Sequence, residues 1–149
     1  MVKYLQLRRR CVHRKNKCLF FVMAAVCLAL AGCSPLDEKV HITDIKMAAS
    51  LDANLAPVQV MDTFPAGTRK VSCWFKWKDS PVGTQLVAKW DYLTEKIHIL
   101  DHDFAIPRRN GMGGILLTQP EGKTLPSGSY KLTLLNGKRA IKSISFEIE

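Results

Sequence analysis

The chain has 149 residues, with 22 Lys and Arg against 13 Asp and Glu, giving a formal charge of +9. Seven of the basic residues lie between Lys3 and Lys17, and no acidic residue precedes Asp37. The remainder therefore carries about +2, which excludes the dense basic face that nucleic-acid binding requires.

The first element is a leader. Lys3, Arg8, Arg9, Arg10, Arg14, Lys15 and Lys17 form a basic region, followed by the apolar run CLFFVMAAVCLALA from Cys18 to Ala31. About 20 apolar residues are needed to cross a bilayer, so this run suits the core of a secretion signal better than a permanent span. Leu30-Ala31-Gly32-Cys33 closes it. These four residues resemble the lipobox of bacterial lipoproteins. The resemblance implies diacylglycerol on Cys33, cleavage just before it and acylation of the new amine. Ser34 stands where family members kept at the inner membrane typically carry Asp. An outer-membrane position facing the periplasm is the implied address. Arg8-Arg9-Arg10 also offers a twin-arginine reading, but Cys11-Val12-His13 lacks the usual apolar continuation. Several acyl chains would anchor stably, since each buried methylene contributes about 0.8 kcal/mol and one chain alone is marginal.

The expected division is a signal over 1–32, a lipidated Cys and tether over 33–39, and one domain over 40–149. Of the five cysteines, Cys11, Cys18 and Cys27 leave with the signal and Cys33 carries lipid, leaving Cys73. No intramolecular disulfide and no Cys-rich metal site can be built from that remainder. Ser34 to Lys39 (SPLDEK) is a short polar tether.

Strand patterning begins at Val40, with Ile42, Ile45 and Met47 in a first, irregular strand. Ala48 to Ala56 is ambiguous and suits a loop. Pro57 to Phe64 alternates, and Pro65-Ala66-Gly67 turns the chain. Lys70 to Trp77 is the clearest strand: Val71, Cys73, Phe75 and Trp77 share one face, and Ser72, Trp74 and Lys76 the other. Ser80 to Gly83 is a turn. Gln85 to Tyr92 then alternates with Leu86, Ala88, Trp90 and Tyr92 inward, and Glu95 to Leu100 is another β-rich run. Pro107 to Gly114 (PRRNGMGG) predicts a flexible loop that releases Ile115 into a strand. Tyr130 to Leu135 and Ala140 to Ile148 flank Asn136-Gly137, a strong hairpin signal.

Seven to eight short strands separated by Gly, Pro and Asn turns predict an all-β antiparallel sandwich, with a small barrel as the alternative. Cys73 and Trp90 fall on consecutive inward-facing runs. Leu125-Pro126-Ser127-Gly128-Ser129-Tyr130-Lys131-Leu132 precedes the last hairpin, and the chain closes on Phe146-Glu147-Ile148. From Lys70 to Glu149 this resembles the immunoglobulin-like domains of bacterial lipoproteins and exported proteins. The resemblance implies that Cys73 and Trp90 take the strand B and strand C core positions. It makes Tyr130 the corner tyrosine and puts Leu132 in place of the second Cys, with apolar packing instead of a bridge.

Candidate chemistry is sparse. His98, Asp101, His102 and Asp103 (HILDHD) are the one cluster of ligand-type side chains. In a regular strand the two histidines would stand roughly 13 Å apart, with Asp101 on the opposite face. A turn at Leu100 would instead gather Asp101, His102 and Asp103, but a polar strand end is expected rather than a metal site. Cys73 is an inward thiol and inert. Ser127 and Ser129 lack a nucleophile elbow, and Gly111 to Gly114 is not followed by Lys-Ser/Thr. No catalytic residue and no cofactor is expected. Trp74 is expected to face away from the core beside Lys76, with Lys89 and Val87 on the next strand, either covered by a loop or the N-terminal segment or open as an interaction surface. Arg108 and Arg109 add cations in the Gly-rich loop. These five residues (Trp74, Lys76, Lys89, Arg108 and Arg109) are the candidate interaction surface. The expected role is a lipid-anchored, non-catalytic module that binds another envelope component, most simply a protein, by edge-strand addition or a sheet-face contact. The alternatives are an assembly accessory of an envelope complex and, further off, a metal-dependent or hydrolytic enzyme.

Overall fold

In the structure, a computed structural model, residues 39–149 are described; the leader, the Leu30–Cys33 motif and most of the tether lie outside the described residues. Nine strands follow in order: β1 His41–Leu51, β2 Pro57–Val60, β3 Thr63–Phe64, β4 Lys70–Lys78, β5 Gln85–Tyr92, β6 Ile97–Ala105, β7 Gly111–Thr118, β8 Gly128–Asn136 and β9 Arg139–Ile148. They form two sheets, β2-β1-β4-β7 and β3-β9-β8-β5-β6. Every pairing is antiparallel except β3 with β9. This is an immunoglobulin-like sandwich without a disulfide.

Alternation fixes the register because a one-residue slip would expose every core side chain. Met47, Cys73 and Ile115 stand abreast across β1, β4 and β7. Ala88 and Leu134 do so across β5 and β8, as do Trp90 and Leu132. All seven are buried in one core between the sheets. Aromatic side chains join its ends. Phe146 stacks on Tyr130 at 5.0 Å and meets Trp90 and Phe64 edge-on at 6.2 and 5.6 Å. Phe75, Trp77 and Phe104 make a second group with centroids 5.2 to 5.9 Å apart. The Tyr130 hydroxyl donates to the Pro126 carbonyl at 2.6 Å, closing the tyrosine corner that the sequence implied.

The structure corrects several local expectations. The segment from Ala48 is not a loop: β1 runs on to Leu51, and the chain then turns through residues 52–56 into β2. Pro57 to Phe64 is not one strand, since β2 and β3 belong to opposite sheets. The glycine-rich stretch is strand β7 from Gly111 onward. Here glycine is required by bulk rather than by flexibility. A side chain at Gly113 would meet Phe104 and Phe75, and one at Gly111 would meet Trp77. The last hairpin turns one residue later than the Asn-Gly signal suggests. Asn136 pairs with Arg139, and Gly137, at φ 57°, begins the two-residue loop.

Candidate interaction surface

Trp74 is buried, at 8% exposure, so it is covered rather than open as an interaction surface. It does not point into the inter-sheet core. Trp74 and Ala48 are buried yet lie outside the core cluster, on the opposite face of β1 and β4. The cover comes from the end of β1. Beside Trp74 in the ladder stands Gly114, and the space a side chain would take there is filled by Leu51. The tail of β1 therefore crosses back over the outer face of β4 and β7, because only glycine lets it come so close. Lys46, opposite Trp74 on β1, lays its ammonium 5.5 Å from the ring centroid and pairs with Asp44 at 3.0 Å. Beneath this cover the indole Nε1 of Trp74 and the hydroxyl of Ser72 are buried without a hydrogen-bond partner.

The five expected surface residues are not brought together. Consecutive strands β4 and β5 belong to opposite sheets, so Trp74 and Lys76 are separated by the core from Lys89. Lys89 instead pairs with Asp91 at 3.2 Å on the outer face of the five-stranded sheet. Arg108 and Arg109 are exposed, but their backbone is held: Trp77 Nε1 donates to the Arg108 carbonyl at 2.7 Å, and the Ser80 amide donates to the Arg109 carbonyl at 2.9 Å. The loop is short and pinned.

HILDHD is not a strand end either; it lies within β6, an edge strand. A bulge opposite Trp90 and Asp91 changes the facing that regular alternation predicts. His98 comes opposite Asp91, with Nδ1 3.2 Å from Asp91 Oδ1, while its Nε2 lies 3.5 Å from Asp101 Oδ1. Asp101 thus shares a face with His98. His102 and Asp103 pair instead with Ala88 and Val87. Among the described residues no three His, Cys, Asp or Glu side chains gather as a metal site. Cys73 is fully buried, and burial pushes its thiol well above the ordinary range, so it offers no thiolate.

What the sequence reading missed is the hairpin formed by the β1 tail and β2. Leu55, Val58 and Val60 are 42, 41 and 53% exposed, three large apolar side chains within six residues. Leu55 and Gln59 adopt φ 61° and 53°, a left-handed conformation uncommon outside glycine and costly at a branched or long side chain. The signal that could have found it is the apolar Leu55-Ala56-Pro57-Val58 stretch directly after the turn residues Asp52 and Asn54. By contrast the outer face of the five-stranded sheet is polar, carrying Lys89, Asp91, Asp101, Lys131, Thr133, Ser143 and Ser145.

Among solved structures, the chain is similar to an immunoglobulin-like protein from Pseudomonas aeruginosa, with a TM-score of 0.54 and 14% identity over 76% of this chain and 99% of that one. It also matches, at a TM-score of 0.40 and 15% identity, the alkylpurine DNA glycosylase AlkC of Pseudomonas fluorescens bound to DNA containing an abasic site analog. That match covers 74% of this chain and 30% of the other. No protein-family model and no curated protein sequence matches. At 14% identity the likeness to the immunoglobulin-like protein is one of fold, and fold alone does not carry function.

Proposed function

We propose that this chain is a non-catalytic binding domain, tethered to the periplasmic face of a bacterial outer membrane through lipid on Cys33, which presents the β1–β2 hairpin to another envelope protein. The hairpin carries the reading. A short edge hairpin that exposes clustered aliphatic side chains on strained backbone favours a contact site. The lipid would hold the domain near envelope partners and raise its effective concentration there. Support for the anchor comes from the basic leader, the apolar run and the Leu30–Cys33 motif.

Two variants test the two halves separately. Replacing Val58 and Val60 together by Lys should abolish recovery of a stoichiometric envelope partner after cross-linking in cells, with the circular dichroism spectrum unchanged because both side chains are exposed. Unaltered recovery would refute the hairpin as the contact. Cys33→Ala should stop incorporation of labelled fatty acid and release the chain from the membrane fraction; continued labelling would refute the anchor.

A further inference from the structure

The two sheets end in four edge strands, and three are blunted in ways that discourage further pairing. Strand β3 has two residues. Strand β2 has four, begins with Pro57 and is distorted at Gln59. Strand β6 carries Asp101 and Asp103. Strand β7 has none of these devices: its eight residues, GMGGILLT, include no charge and no proline. The amide of Gln119 donates to the Arg69 carbonyl at 3.0 Å just beyond the ladder. By antiparallel alternation, residues 111, 113, 115 and 117 turn their backbone toward β4. Met112, Gly114, Leu116 and Thr118 turn theirs away, and their groups have no backbone partner among the described residues.

We infer that β7 pairs with β7 of a second copy of this chain, antiparallel about a two-fold axis through Ile115, joining two four-stranded sheets into one. In that register all four outward residues are used, Met112 facing Thr118 and Gly114 facing Leu116. Leu116, 50% exposed, comes to lie beside the Leu51 that rests on the partner's Gly114. The same operation applied to β6 would set carboxylates against each other, which is why β7 is the self-complementary edge. This pairing depends on neither the lipid nor the hairpin, so its failure would leave the proposed function standing.

The chain expressed in a bacterial host and extracted in detergent should sediment as a dimer. Leu116→Lys should weaken it roughly fivefold or more with the circular dichroism spectrum unchanged, since the side chain is exposed and the substitution sets an ammonium beside the partner's Leu51. A register test accompanies this. Met112→Cys mixed with Thr118→Cys should form a disulfide-linked dimer above the background of the unsubstituted chain. Neither should do so alone, because like positions stand about 20 Å apart. A monomer at all concentrations would overturn the inference. So would a dimer indifferent to Leu116→Lys whose mixed cysteines fail to link.

Discussion

At the scale of single residues, Tyr130 shows how one side chain closes the fold and sets a pH limit. Its ring stacks on Phe146 and lies 4.7 Å from the Tyr92 ring, while its hydroxyl holds the Pro126 carbonyl. Burial, then the neighbouring Tyr92 and Glu95, push its pKa up to about 12. An unfolded tyrosine ionises near 10. Between about pH 10 and 12 the unfolded chain therefore sheds a proton that the folded chain keeps, and stability falls as pH rises through that window. Below it the contribution is fully present. Tyr130→Phe should lose about 1 kcal/mol at neutral pH, from the missing hydrogen bond. Its denaturant midpoint should then decline less steeply above pH 10 than that of the unsubstituted chain. Parallel alkaline slopes would show that another group governs the fall.

At the scale of elements, the consequential contact is Leu51 on Gly114. A valine at position 114 would occupy the space that Leu51 fills, forcing the β1 tail and β2 away from Trp74. Gly114→Val should therefore speed proteolysis within residues 52–56 and raise acrylamide quenching of tryptophan fluorescence. Adding Leu51→Ala should restore protection by returning the space, a coupling expected only of residues in contact. If the double variant is no better protected than the single one, the β1 tail is held by something other than this contact.

This contact also marks where the sequence stops being legible. Alternation in β4 and β5 exposed the core in advance: Val71, Cys73, Phe75, Trp77, Leu86, Ala88 and Trp90 are all buried, as are Tyr130 and Leu132, which the immunoglobulin-like resemblance marked. Two-residue periodicity says which side chains share a face, but it does not say whether that face is the core or a second covered layer. Trp74 shares its face with Ser72 and Lys76, a polar pattern, and is buried by a chain segment more than twenty positions upstream. Nor does periodicity assign strands to sheets, so Lys89 was expected beside Trp74 although β4 and β5 lie apart. A bulge opposite Asp91 is likewise invisible, and it alone brings His98 to Asp101.

At the scale of the whole molecule, the question is what links two sheets that share no hydrogen-bonded ladder. Cys73 sits inward on β4 and Leu132 inward on β8, both fully buried in the core that also holds Trp90. In immunoglobulin domains the equivalent positions carry a bridge packed against the strand C tryptophan. Here apolar contact serves instead, and truncating Leu132 to Ala should cost about 2 to 5 kcal/mol. Leu132→Cys offers a more telling substitution. A bridge to Cys73 would close a long loop and return up to about 4 kcal/mol by restricting the unfolded chain, against the lost leucine packing. The oxidised variant should therefore unfold at higher denaturant than its reduced form. The same variant reports on the address, because such a bridge persists only where the compartment is oxidising. Trapped with a thiol-alkylating reagent in intact bacteria, it should be found oxidised, and adding Cys33→Ala should not reverse this if export itself is intact. A thiol found reduced in cells that bridges readily once purified would place the sandwich in the cytosol and remove the premise of an envelope partner.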